Sequence, residues 1–125
     1  MKYYIAALCW CLSACNDEPA LYIAPQIWQD FQIRLETRPP MPTVGMNEIL
    51  VIATRTGQRK LPVWDALISL RADDNDEWRQ AIQDGHTGVY RRAVMVHDPA
   101  TQDVQVQLQR GDEKVVLRFP LRVLR

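Results

Sequence analysis

Past Cys15 the chain contains no cysteine; Cys9, Cys11 and Cys15 all crowd into its opening stretch. The body of the protein therefore has no internal disulfide, no thiolate zinc cage and no cysteine nucleophile. Serine is almost as scarce. Ser13 lies in the same opening stretch, and Ser69 sits in "LISLR" with no G-x-S-x-G elbow around it. The five glycines form no phosphate-cradling loop, and the two histidines, His86 and His97, fit no zinc motif. Neither sign of charge is in excess, with 15 Lys+Arg against 15 Asp+Glu, so nothing pulls the chain toward nucleic acid. Paired carboxylates need a cleft to act on a glycoside. The acidic run Asp73, Asp74, Asp76 and Glu77 lacks the central glycine and final glutamate of a calcium loop, and reads as a solvated turn. These absences argue against an enzyme.

What is present begins with one apolar run, residues 3–14, behind the single positive charge of Lys2. A helix crossing a bilayer needs roughly 20 such residues. The run is shorter, and has the positive front and apolar centre of a secretory signal. It ends Leu12-Ser13-Ala14-Cys15, which resembles the bacterial lipobox. That resemblance implies a diacylglyceryl group on the Cys15 thiol, cleavage before Cys15, and an acyl chain such as palmitate on the new amine. Each buried methylene is worth ~0.8 kcal/mol, so several chains moor a protein that one would hold only reversibly. The expected organisation is a signal peptide over residues 1–14, a lipid-anchored tether over 15–27 and a folded domain over 28–125. The mature chain would face the periplasm. Asn16 followed by Asp17 leans toward the outer rather than the inner membrane.

From Trp28 onward apolar residues recur with period two. "FQIRLET", "DALISLRA", "VQVQLQR" and "VVLRFPLRV" each alternate, the pattern of strands with one wet face. "EILVIAT" is continuously apolar, as in a strand covered on both sides. "VYRRAVMV" reads as a strand, and "WRQAIQ" as either a short strand or one helical turn. Pro39, Pro40 and Pro42 interrupt the pattern, and "GDE" marks a tight hairpin. About seven short strands without a long helix predict an all-β, antiparallel sandwich. Pro120 faces away from the core row, so the last strand belongs at a sheet edge.

Residues 56–70, "TGQRKLPVWDALISL", resemble bacterial immunoglobulin-like domains through Pro62, Val63, Asp65 and Ala66. Gly88-Val89-Tyr90 fits the second half of that pattern. The resemblance implies a tyrosine corner, with the Tyr90 hydroxyl bonding back to the turn before it. Trp64 is larger than the usual occupant of its place, and Arg92 stands where antibody domains carry a disulfide partner. Gly45, Asn47, Gly88, Tyr90 and the terminal Phe-Pro-Leu also resemble the FixH/YtkA-like group of periplasm-facing sandwiches. Some members of that group are linked to copper handling and cytochrome oxidase assembly. Their Met- and His-rich segment has no clear counterpart between Leu70 and Gly88.

Two kinds of site follow. For partner contact the candidates are Trp78, Arg91, Arg92 and the loop containing Met41, because Trp and Arg dominate binding hot spots. Arg91 and Arg92 point to opposite faces of an extended segment, so one of them is partly covered. For a metal, Met41, Met46, Met95 and His97 offer the thioether and imidazole ligands that suit Cu(I). The blander reading makes Met95 a core filler and His97 a turn residue bonding locally. Core packing is the expectation for Trp28, Trp64 and Trp78. The reading favoured overall is a lipid-anchored, non-catalytic binding or scaffolding module in an envelope complex, without a cofactor. A copper-handling accessory is the alternative.

Overall fold

The computed structural model describes residues 21–121. They form nine strands: β1 (Gln26–Trp28), β2 (Phe31–Arg38), β3 (Gly45–Arg55), β4 (Leu67–Arg71), β5 (Arg79–Gln80), β6 (Ile82–Gln83), β7 (Val89–Val96), β8 (Asp103–Arg110) and β9 (Glu113–Pro120). They build two antiparallel sheets, β1-β2-β3-β7-β6 and β5-β4-β8-β9, packed as an immunoglobulin-like sandwich. The two strands beyond seven come from the very short β1 and from the division of "WRQAIQ" between β5 and β6. β1 straddles the expected boundary, taking Gln26 and Ile27 of the stretch read as tether into the sheet, and Leu21 and Ile23 of that stretch pack against the core.

The period-two pattern becomes the core. Phe31, Ile33 and Leu35 of β2 face inward beside Ile49, Val51 and Ala53 of β3 and Tyr90, Val94 and Val96 of β7. The other sheet contributes Ile68, Leu70, Val104, Val106, Leu108 and Phe119, all essentially inaccessible. Burying each large side chain contributes roughly 1.5–3 kcal/mol. Alternation also fixes register, since a one-residue slip would turn a whole apolar row into water. The hairpin from β8 to β9 turns through Gly111 and Asp112, pairing Arg110 with Glu113. Gly111 has φ +59°, fitting the first central position of a type II′ turn.

Two expectations need correction. "EILVIAT" has no second layer over its outer face among the described residues. Leu50 is buried there between its register neighbours Glu36 and Arg91, whose long stems can lie over an apolar residue while their heads stay wet. Tyr90 makes no corner with the turn before it. Its hydroxyl donates to the carbonyl of Val63 at 2.9 Å, in the link from β3 to β4. Burial and the nearby Asp65 carboxylate push the Tyr90 pKa up, so the phenol stays protonated and able to donate.

The same link is pinned from the other side. The Val63 N–H donates to Ala53 O at 2.9 Å, and the Ala53 N–H to Gly88 O at 2.8 Å. Gly88 has φ +79°, and a Cβ there would lie 2.6 Å from Ala53 O and 2.9 Å from Pro62 Cβ. At the far end of β3, buried Asn47 ties down the Pro-rich loop. It accepts from the Thr43 N–H at 3.0 Å and donates to Thr43 O at 2.6 Å and Gly45 O at 3.0 Å.

Gly88→Ala should therefore cost about 1–3 kcal/mol in backbone strain alone, and more through the clash with Ala53 O. Its thermal midpoint should fall by roughly 4–24 °C, at about 4–8 °C per kcal/mol. Gly111→Ala meets the same strain of a positive φ but nothing within 4 Å of the added Cβ, so its midpoint should fall by less than that of Gly88→Ala.

Candidate functional site

The site begins with a change of sheet. β5 pairs with β4 through Ser69↔Gln80 and Leu70↔Arg79; two residues later β6 pairs with β7 through Ile82↔Arg91 and Gln83↔Tyr90. Between them Ala81 is buried, and its N–H donates to Ile68 O at 2.8 Å. The chain thus leaves one sheet for the other at Ala81. Beyond Arg91, no strand among the described residues covers the outer edge of β7.

Hydrogen-bond parity says which groups that leaves. Gly88 O accepts from Ala53, so by antiparallel alternation residues 90, 92, 94 and 96 bond to β3. Val89 O accepts from Asp84 on the opposite side, placing residues 89, 91, 93 and 95 there. Arg91 meets β6. Ala93 and Met95 meet no strand, although Met95 O accepts from the Gln102 side-chain amide at 2.9 Å.

A groove of about 570 Å³ lies along this edge. Its outer side carries Met46 and Met95, register partners across β3 and β7 that are 59% and 39% exposed, together with exposed Ile82 and the Glu48 carboxylate. Its inner side carries Arg92 and Arg79, at inward-pointing positions of β7 and β5 on the open flank of the sandwich, with Asp76 beside them. Arg79 is paired with Asp76 at 3.0 Å and Arg91 with Asp84 at 3.5 Å. Half-buried Arg92 makes no ion pair or side-chain hydrogen bond among the described residues.

Four of the residues singled out from sequence thus come together: Met46, Arg91, Arg92 and Met95. Met95 is not a core filler, because Val94 and Val96 take the inward positions and leave it facing water. His97 adjoins rather than lines the groove. It shares a second hollow of about 320 Å³ with Met95, Asp76 and Asn75, and its N–H donates to Gln102 Oε1 at 2.8 Å. Met41 is half-buried in the Pro-rich loop and lines neither hollow. Trp78 is half-buried with the Arg71 guanidinium 4.3 Å from its ring centre, so one face is already occupied. Trp28 packs edge-on to Phe31, whereas Trp64 stays 52% exposed, tilted against His86 at 4.8 Å. Cys15 lies outside the described residues. Sequence reasoning missed Arg79 and Ile82; an exposed isoleucine in the polar "RQAIQD" was the available signal.

The acidic run orders the turn beside the groove. Among the described residues no group of three His, Cys, Asp or Glu is placed to hold a metal ion. Asp76 accepts from the Ala72 N–H at 3.0 Å and the Glu77 N–H at 2.9 Å as well as from Arg79. The Ala72 N–H does most to hold its pKa below the ordinary carboxylate value, joined by Arg79 and the Glu77 N–H against an upward push from burial. On the outer face of the second sheet, Asp74 accepts from buried Gln105 at 2.7 Å, with Arg118 and Arg71 beside it.

A depressed folded-state pKa contributes stability above the unfolded value, lost as pH falls through the folded one. Asp76→Asn should therefore be less stable than the wild type near pH 7, by about 1–3 kcal/mol for a charge-assisted group. The difference should shrink as both proteins are taken to about pH 2, where the wild-type carboxylate is itself protonated. Thermal midpoints across that range measure it. No family model, curated protein or solved structure matches the chain.

Proposed function

We propose that this chain is a lipid-anchored, non-catalytic binding module of the bacterial cell envelope, its sandwich facing the periplasm and engaging a partner protein. The observation that carries the binding half is the open β7 edge. There, among the described residues, unpaired backbone groups, two exposed methionines and an arginine without a partner share one groove. Structural edges are normally shortened, covered or charged, and a groove beside one is where an extended segment can add. The anchoring half rests on Leu12-Ser13-Ala14-Cys15 and the short apolar run before it. Asn16 followed by Asp17, at the start of the mature chain, leans toward the outer rather than the inner membrane.

A second reading has one observation in its favour. Met46 and Met95 stand opposite each other across β3 and β7, and His97 lies two residues on along the same strand direction. Two thioethers and an imidazole on an exposed face suit Cu(I), as in a FixH/YtkA-like copper accessory. Titration of the full chain with Cu(I) separates the two readings.

For the anchor, full-length protein made in a bacterial host should partition with membranes and carry fatty acids on a chain beginning at Cys15. Cys15→Ser should lose the fatty acids and the cleavage. Intact-mass spectrometry reads both, and an unmodified wild-type chain that keeps Met1 would end the anchoring proposal.

A further inference from the structure

We infer that the free edge of β7 takes up an extended partner segment in which acidic and apolar residues alternate. The inference rests on the binding-module reading and names that module's contact and its ligand's chemistry.

The backbone supplies the first half. Ala93 N–H, Ala93 C=O and Met95 N–H point along the sheet plane with no strand of the described residues to meet them. From Arg92 to Val96 the open edge runs roughly 17 Å at about 3.4 Å per residue, enough for a short added strand.

The side chains supply the second half. Residues of an added strand would alternate between the two sides of the sheet. Those on the outer side would lie beside Met46, Met95 and Ile82, with the Glu48 carboxylate on the same face disfavouring an acidic residue there. Those on the inner side would lie beside Arg92 and Arg79. Arg79 already has Asp76 and Arg91 has Asp84, so among the described residues the groove's unpaired cation is Arg92. An acidic residue on the inner side would pair with it, and charge-assisted pairs of this kind are roughly twice as strong as neutral hydrogen bonds.

The same arginines act as a filter. Inward-pointing charges at a sheet edge discourage casual pairing, since a neutral strand would leave Arg92 desolvated and unpaired. A basic strand would be repelled. A second copy of this chain would set Arg79, Arg91 and Arg92 against their own equivalents. Register is selected too, because a one-residue slip would put the acids on the methionine side.

The test uses full-length protein in detergent and fluorescent octapeptides alternating Val with Glu, Lys or Ser. Anisotropy should show the Glu peptide binding, more weakly as salt is raised, and the Lys and Ser peptides at least tenfold weaker. Arg92→Gln should weaken the Glu peptide at least tenfold, and Arg92→Lys should recover part of the loss. Ala93→Pro should also abolish binding, because it removes an amide that β3 does not use. Should that variant fold poorly, slowed exchange of the wild-type Ala93 and Met95 amides on saturation with the Glu peptide decides instead. Equal binding of all three peptides, or no slowing at those amides, overturns the inference. Pulldowns from solubilised envelope separate this failure from a wider one. A partner retained equally by wild type and Ala93→Pro moves the contact elsewhere and leaves the binding module standing. A partner retained by neither, with no peptide bound, removes both.

Discussion

The crossing at Ala81 is the constraint on which the exposed features of this sandwich depend. A chain passing from one sheet to the other cannot complete an edge strand in either. Ala81 is small enough to be buried at the crossing, and its N–H stays bonded to Ile68 O. β5 and β6 are left two residues long, and most of the outer edge of β7 is uncovered by any strand of the described residues. Arg79 and Arg92 point inward by strand parity, yet they sit on the open flank where water reaches them. The groove, its cations and its unpaired amides are all consequences of that one step.

Elsewhere the chain meets its polar demands with its own side chains and backbone, which lets the core stay apolar. Asn47 satisfies the Pro-rich loop, Tyr90 caps the carbonyl of Val63, and Gly88 allows three segments to come close. Near the turn from β1 to β2, Asp30 pairs with Arg55 at 2.9 Å and Arg110 at 3.3 Å while both guanidinium groups approach the Phe31 ring. Asp30 is exposed, so that pairing orders side chains more than it stabilises the fold. The opposite edge of the second sheet, β9, ends in Pro120, which cannot donate to an added strand.

The sandwich was legible because its inward rows are regular. Phe31-Ile33-Leu35, Val104-Val106-Leu108 and the row ending at Phe119 alternate without error, and Pro120 marked its edge correctly. What escaped depended on contacts between distant segments. No local pattern says that Tyr90 reaches Val63, that Leu50 is covered only by its neighbours, or that Trp64 is left in water. Met95 had the composition of a core residue and the parity of a surface one, and parity decided. The groove was half legible. Arg91, Arg92, Met46 and Met95 stood out as residue types, but their meeting required the β3–β7 register. Arg79 and Ile82 required the sheet change that "WRQAIQ" conceals.

Amide hydrogen exchange along β7, read residue by residue in the unliganded full-length protein, tests the open edge most directly. The account predicts alternation: Arg92, Val94 and Val96 protected by β3, with Ala93 and Met95 exchanging far faster. Uniform protection from Arg91 through Val96 would mean that something already covers this edge, and would contradict it.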